Sequence, residues 1–320
     1  MGSGARRILV RTRRVLARGA IIAAVLCVAA GALAAARLPK PGTPAQVAAL
    51  VAASTSIEKL PTKLVPPLPQ AAQDNAGAYY GVAGRECDGV TKCVFANTTS
   101  KRVVVLFGDS HAQMWLPALV PVAAHARDRL VLVWRPGCPA ATIGIWDSNT
   151  HSIDKGCNEF RSAMIAQIRR LAPAVVLLAD RTSDMPGANN VLTTNAAWQS
   201  GEEATIAALK GPSTMVAVIG DITAFTVDPP MCLAAYPSAV QQCSAPTPNP
   251  KTHQHFAAEA AAASHEGVKY VNPQPWLCAP KTCSTVIGSM VAYYDKFHVT
   301  ATYAEYLSGV WGAALKSLLA

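Results

Sequence analysis

No acidic side chain occurs before Glu58. Against that absence stand Arg6, Arg7, Arg11, Arg13, Arg14, Arg18 and Arg37, seven of the chain's 28 Lys and Arg residues. The formal net charge of +9 therefore belongs to the N-terminus, because from residue 38 onward 21 basic residues face 19 acidic ones. A nearly neutral body lacks the basic stripe of a nucleic-acid-binding surface, so no nucleic-acid partner is expected. The chain also lacks any C-x-x-C pair, which removes the usual ligand spacing of a zinc site, and it has no internal repeat. Neither a metal nor another cofactor is expected. Charged residues are only 15% of 320, against 51% apolar, enough for one substantial core with an N-terminal extension.

What is present begins with a basic tail, residues 1–18, and an uncharged run, GAIIAAVLCVAAGALAAA, residues 19–36. As a helix the run would be about 27 Å long, close to a hydrocarbon core of about 30 Å. It is apolar on every face, which argues against a buried soluble helix. Arginines ahead of it indicate a cytoplasmic N-terminus and an exported remainder. Ala34-Ala35-Ala36 also fits a signal-peptidase site, so two readings stay open. One is a cell-membrane protein with a single N-terminal anchor and an extracytoplasmic domain; the other is a protein secreted after cleavage. Cys27 lies inside the run behind bulky Leu26, which argues against a lipoprotein anchor. The other eight cysteines, Cys87, Cys93, Cys138, Cys157, Cys232, Cys243, Cys278 and Cys283, form four neighbouring couples. An even number beyond a membrane signal indicates disulfides in an oxidising compartment, and proximity predicts sequential pairing.

Residues 37–100 read as a linker and helical arm. RLPKPG is the linker; TPAQVAALVAASTSIEKL is a helix with Thr43 as N-cap and Pro44 in its first turn. LPTKLVPPLPQ, residues 60–70, is too proline-rich for regular structure. Residues 101–320 read as the main domain. Continuous apolar runs at 103–107, 130–134, 174–179, 215–220 and 268–272 predict strands covered on both faces. Helical stretches near 112–126, 158–171, 196–209, 253–265 and 302–319 alternate with them. The expected fold is α/β: three layers, α/β/α, with a five-stranded parallel sheet, preceded by a transmembrane or signal helix.

In such a sheet ligands sit at the carboxyl ends of the strands. GDSH, at the end of the first core strand and before a helix, offers Ser110 as a nucleophile. Its own amide lies at the positive end of that helix, ready for an oxyanion. Gly108 permits the tight turn, and Asp109 can accept local amides and hold the turn rigid. A serine hydroxyl needs a base. YDKFHVTATYAEYL supplies His298, with Asp295 three residues earlier to orient it, which makes a serine–base–orienter set. Read blandly, GDSH is only a capped turn and DKFH only a loop ahead of a helix.

These two motifs resemble the first and last blocks of the SGNH (GDSL-like) hydrolase superfamily. The match is closer to the extracytoplasmic SGNH domains that accompany acyltransferase-three membrane acyltransferases. YYDKFHVTATYAEYL is similar to their histidine loop, and CLAAYPSAVQQC and WLCAPKTC to the paired cysteines before it. The resemblance spans roughly Thr43 to Ala320. It implies a serine O-acyl esterase or O-acyltransferase, with acetyl as the acyl group and cell-envelope glycan as the substrate. Ser110, Asp295 and His298 would be the triad, and Ser110 would carry the acyl intermediate. It also implies a polytopic membrane acyltransferase as acyl donor. In that superfamily a glycine after the second strand and an asparagine after the third complete the oxyanion hole. Gly137 in RPGCPA can stand for the glycine. ADRTSDM offers no asparagine, and Arg181 is the candidate donor there, unless it pairs with Asp180 or Asp184. The missing asparagine favours a second reading, a catalytically silent carbohydrate-binding or scaffold module.

Other residues carry less. His253 and His255 lie two apart with no ligand beside them, and read as a solvated helix start. His111 either caps the turn, touches substrate or is structural. Trp115, Trp134, Trp146 and Trp276 could stack on sugars, but the core is their first claim. DPPMCLAAYPSAVQQCSAPTPNP, clamped by Cys232 and Cys243, is a candidate substrate-facing flap.

Overall fold

A computed structural model of the chain describes residues 40–83, 87–248 and 255–319. The basic tail, the apolar run 19–36 and His253 lie outside the described residues. The central sheet has six strands: β1 (Val94–Ala96), β2 (Val103–Gly108), β3 (Arg129–Trp134), β4 (Val175–Ala179), β5 (Met215–Ile219) and β6 (Lys269–Val271), ordered β1-β3-β2-β4-β5-β6. From β2 to β6 all pairings are parallel, and β1 runs antiparallel along β3, with Phe95 opposite Leu130. The sheet thus has one strand more than the five expected. β1 is three half-buried residues long, too short to show a period, and it comes from the segment read as the arm.

The continuous apolar runs explain the layers. Along β2, Val104 and Leu106 enter one core while Val103, Val105 and Phe107 enter the other. β3, β4 and β5 alternate in the same way, so each strand needs a helix on both sides. One face is covered by α1 (Pro44–Ser54), α2 (Ser110–Met114), α3 (Leu116–His125), α7 (Ala301–Tyr306) and α8 (Ser308–Leu319). The other is covered by α4 (Lys155–Leu171), α5 (Asn195–Leu209) and α6 (Phe256–His265). Two helices expected as continuous are broken. Residues 112–126 divide at Trp115, where Pro117 opens α3, and 302–319 divide at Leu307.

The arm is built into this body. Thr43 caps α1 with a reciprocal Gln46 contact, and the helix ends at Ser54, short of the expected Leu60. The proline-rich stretch is mostly irregular but makes one helical turn, Leu68–Ala71. Its backbone bonds to distant loops: Leu60 N donates to Pro237 O, and Val65 N to Ser289 O. The segment between Cys232 and Cys243 packs on this arm, with Leu233 and Val240 against Leu60, Leu64 and Leu68. It therefore serves as a floor for the arm, with its Tyr236 and the preceding Met231 exposed. Four disulfides join neighbours in sequence: Cys87–Cys93, Cys138–Cys157, Cys232–Cys243 and Cys278–Cys283. Among the described residues no helix is long and apolar enough to cross a membrane.

Candidate active site

The site is built where β2 stops against β4. A Cβ on Gly108 would lie 1.9 Å from the Ala179 carbonyl oxygen, so only glycine lets the two strand ends approach this closely. Asp109 then caps α2, its Oδ1 accepting the His111 amide at 2.8 Å. Its two oxygens also accept the Arg181 amide, each at 3.1 Å, which ties the turn to the loop after β4. Ser110 is the first residue of α2 and half-buried.

The loop before α7 brings its partner across 188 residues of sequence: His298 Nε2 lies 2.8 Å from Ser110 Oγ. His298 Nδ1 lies 2.9 Å from both oxygens of Asp295. Asp295 Oδ1 also accepts the Phe297 and His298 amides at 2.8 Å, so the D-x-x-H spacing closes a turn around its own carboxylate. Tyr294 stacks on the imidazole, 5.3 Å between centroids and 10° from parallel. Burial pushes the Asp295 carboxyl up, but the hydrogen bond and charge of His298 and the two amides outweigh it and hold it below its ordinary value. Burial lowers His298, and Asp295 only partly offsets that. A neutral imidazole with Nδ1–H on Asp295 leaves Nε2 free to accept the serine proton.

Of the three oxyanion candidates, the Ser110 and Gly137 amides donate to no other described residue. Gly137 follows β3 with φ +64° and open space around it, and the Cys138–Cys157 bridge anchors its loop to α4. Asp180, just past β4, accepts the Ala140 and Ala141 amides at 2.8 and 3.0 Å and fixes the same loop. The Arg181 guanidinium makes no ion pair with Asp180 or Asp184 among the described residues. It lies 4.8 Å above the Phe297 ring, with Nη2 3.3 Å from Met185 Sδ.

His111 neither caps the turn nor faces solvent. It is buried, with Nδ1 2.6 Å from Asp221 Oδ1, in the loop after β5. Asp221 is a residue the sequence reading missed, although a signal was there: β2 and β5 are each followed by Gly-Asp or Asp, and β4 by Asp180. Acids at three successive carboxyl ends line one edge of a parallel sheet. His255 differs from the solvated helix start expected of it. It is buried and stacked on Trp198 at 5.2 Å, with Nδ1 2.8 Å from Asn195 Oδ1. Trp115 and Trp134 are buried, while Trp146 and Trp276 are half-buried. No cluster among the described residues could hold a metal ion.

Fold and geometry together define a hydrolase- or acyltransferase-like α/β domain, with serine after an inner strand and its histidine and aspartate on one late loop. A family model described as SGNH domain (fused to AT3 domains) matches residues 78–313, and the chain belongs to that family. Among solved structures, it is similar to the lipopolysaccharide acetyltransferase periplasmic domain of Salmonella ser. Paratyphi A. The two share 17% identity over 68% of this chain and 84% of that one, with a TM-score of 0.53. A carbohydrate acetylesterase from Sinorhizobium meliloti matches at 12% identity over 68% and 99%, with a TM-score of 0.41. A GDSL-like lipase from Bacteroides thetaiotaomicron matches at 12% over 68% and 89%, with a TM-score of 0.40. No curated protein matches the chain.

Proposed function

We propose that this chain is an extracytoplasmic serine O-acyl esterase or O-acyltransferase that handles acetyl groups on cell-envelope carbohydrate. The observation that carries the reading is the continuous line from Asp295 through His298 to Ser110 Oγ, with contacts of 2.9 and 2.8 Å. In the first half-reaction the Ser110 proton passes to His298 Nε2 as Oγ attacks the ester carbon. The bond to the leaving oxygen then breaks, and that oxygen takes the proton from His298. In the second, a sugar hydroxyl or water gives its proton to His298 and attacks the acyl-serine, and Oγ departs with the proton. The Ser110 and Gly137 amides, with Arg181 in place of the family's asparagine, would stabilise the oxyanion in both halves.

Four disulfides support an oxidising compartment, and the layout we propose is a basic tail (1–18), an anchor or signal (19–36), an arm (37–100) and the catalytic domain (101–320). The family's fusion to AT3 domains supports a polytopic membrane acyltransferase as acyl donor. A fluorophosphonate probe should label Ser110 of the wild-type chain, and Ser110→Ala should lose p-nitrophenyl acetate hydrolysis. Full esterase activity in Ser110→Ala would overturn the mechanism. An unlabelled wild type that retains glycan would favour the silent binding module, for which the absent asparagine is the argument.

A further inference from the structure

A second histidine–aspartate pair lies beside the triad, and the acyl-transfer steps make no use of it. His111 and Asp221 meet at 2.6 Å with side chains 3% and 0% exposed, a close ion pair rather than a well-aligned hydrogen bond. The His111 ring stands edge-on to His298, 5.0 Å between centroids and 65° between planes. Asp221 is itself held from two sides. The Thr182 amide and hydroxyl donate to its Oδ2 at 2.8 and 2.9 Å, and the Ile222 amide to its Oδ1 at 2.7 Å. We infer that the His111–Asp221 pair is a positioning element for the triad: a buried cation that anchors the serine turn to β4 and β5 and tunes the imidazole receiving the serine proton.

The anchoring follows from chain connectivity. Ser110 sits between Asp109, tied to the loop after β4 through the Arg181 amide, and His111, tied through Asp221 to the ends of β4 and β5. A nucleophile bracketed in this way cannot rotate with its short helix.

The tuning follows from charge. Burial alone would strip His111 of its proton, but the charge and contact of Asp221 outweigh burial, with help from Asp109 and against Arg181, so its pKa rises. Asp221 shifts down: burial opposes the charge there, and His111 with the Thr182 and Ile222 amides overcomes it. Behind Asp221, Glu259 on α6 accepts the Asp221 amide at 3.1 Å, and burial, with the charges of Glu202 and Asp221, pushes its carboxyl well above its ordinary value, which weakens it as a second negative charge. His255, at the start of α6, is lowered by burial and stays neutral. Around His298 the facing groups are Asp295 and Tyr294 from its own loop, Asp109 from the serine turn, and His111. His111 is the cation of that set. It makes His298 a weaker base before attack and a stronger acid once it carries the serine proton. The departing sugar oxygen needs that proton back.

This inference rests on the serine–histidine–aspartate reading, so its test uses two readouts. The rate of Ser110 labelling by a fluorophosphonate reports the fraction of neutral His298 at each pH. In His111→Gln its acid midpoint should rise by about one pH unit, as expected for loss of a unit charge about 5 Å away, and in Asp221→Asn, which loses the anion along with the charge it holds on His111, it should rise by less. Folded variants with an unmoved midpoint overturn the inference, whatever their absolute rates. If neither variant folds, NMR titration of the wild-type imidazoles decides, with His111 assigned by its proximity to the His298 ring. His111 should be protonated at pH 7 while His298 is neutral; a neutral His111 overturns the inference. A wild type that is never labelled counts against the acyl-serine reading, and the NMR titration still tests His111.

Discussion

The two histidine–aspartate pairs contain the same groups at similar distances and behave in opposite ways. His298 and Asp295 are three residues apart on one loop, with Asp295 35% exposed. His111 and Asp221 come from different strand ends, and neither side chain is more than 3% exposed. For His298, burial dominates and its proton is held loosely; for His111, the enclosed carboxylate dominates and its proton is held tightly. Burial penalises a charge, whereas a buried counter-charge rewards it, and the balance turns on how completely water is excluded from the pair. In the proposed reaction the partly exposed pair is the one suited to gain and lose a proton, while the buried pair is suited to stay fixed.

The sharpest way to break this comparison is to remove each carboxylate in turn. Asp295→Ala should lower kcat/KM about 10³–10⁴-fold. It should cost about 1–2 kcal/mol of stability, less than a fully buried pair, because the Phe297 and His298 amides it frees lie on a partly exposed loop. Steady-state kinetics beside urea denaturation would check both. Asp221→Ala should do the reverse in emphasis, costing about 3–5 kcal/mol of stability, because His111 is left buried without its partner. If the two variants lose the same stability, the distinction between the pairs fails.

A third measurement is thermal stability against pH. His111, Asp180 (pushed up to about 7), Glu202 and Glu259 all bind a proton more tightly in the fold than in the open chain. Their contribution is fully present below the unfolded values and is lost as pH rises through the folded ones. His298 and His255, both lowered, act the other way below about pH 6.5, but they are fewer. The melting temperature should therefore be higher at pH 5.5 than at pH 8. A flat or opposite profile would mean the buried carboxyls are solvated. Smaller again is Thr182→Val, which deletes the 2.9 Å hydroxyl contact to Asp221 and should cost about 1.5–3 kcal/mol by chemical denaturation. The smallest effect falls on activity near neutrality. With His298 below the ordinary histidine value of 6.5, initial esterase rates at pH 6.5 should keep more than about half of their plateau. A steep fall between pH 7.5 and 6.5 would show His298 to be an ordinary histidine.

Legibility from sequence followed range. The five apolar runs of the main domain were visible because a parallel strand buried on both faces has no polar positions. β1 was not, since three residues of edge strand carry no period. Asp295 beside His298 was readable from D-x-x-H spacing, and the neighbouring cysteines from short loops. The role of His111 was not readable, because Asp221 stands 110 positions away and only the crossover connections bring them together. Arg181 shows the same limit. Its place after β4 follows from the order of elements, whereas its rest over Phe297 is a matter of packing. His255 was misjudged because polar neighbours in sequence say nothing about Trp198 beneath it.

Sequence by itself determined the layered α/β body, the glycine that lets β2 close on β4, the serine at that turn and the histidine–aspartate loop. Each is encoded within a few residues by steric size, apolar continuity or hydrogen-bond spacing. The tertiary structure alone decided that His298 reaches Ser110, that His111 meets Asp221, and that the two histidines' proton affinities shift in opposite directions. Those outcomes depend on distances through space and on excluded water, and both are set only when six strands and their covering helices have assembled.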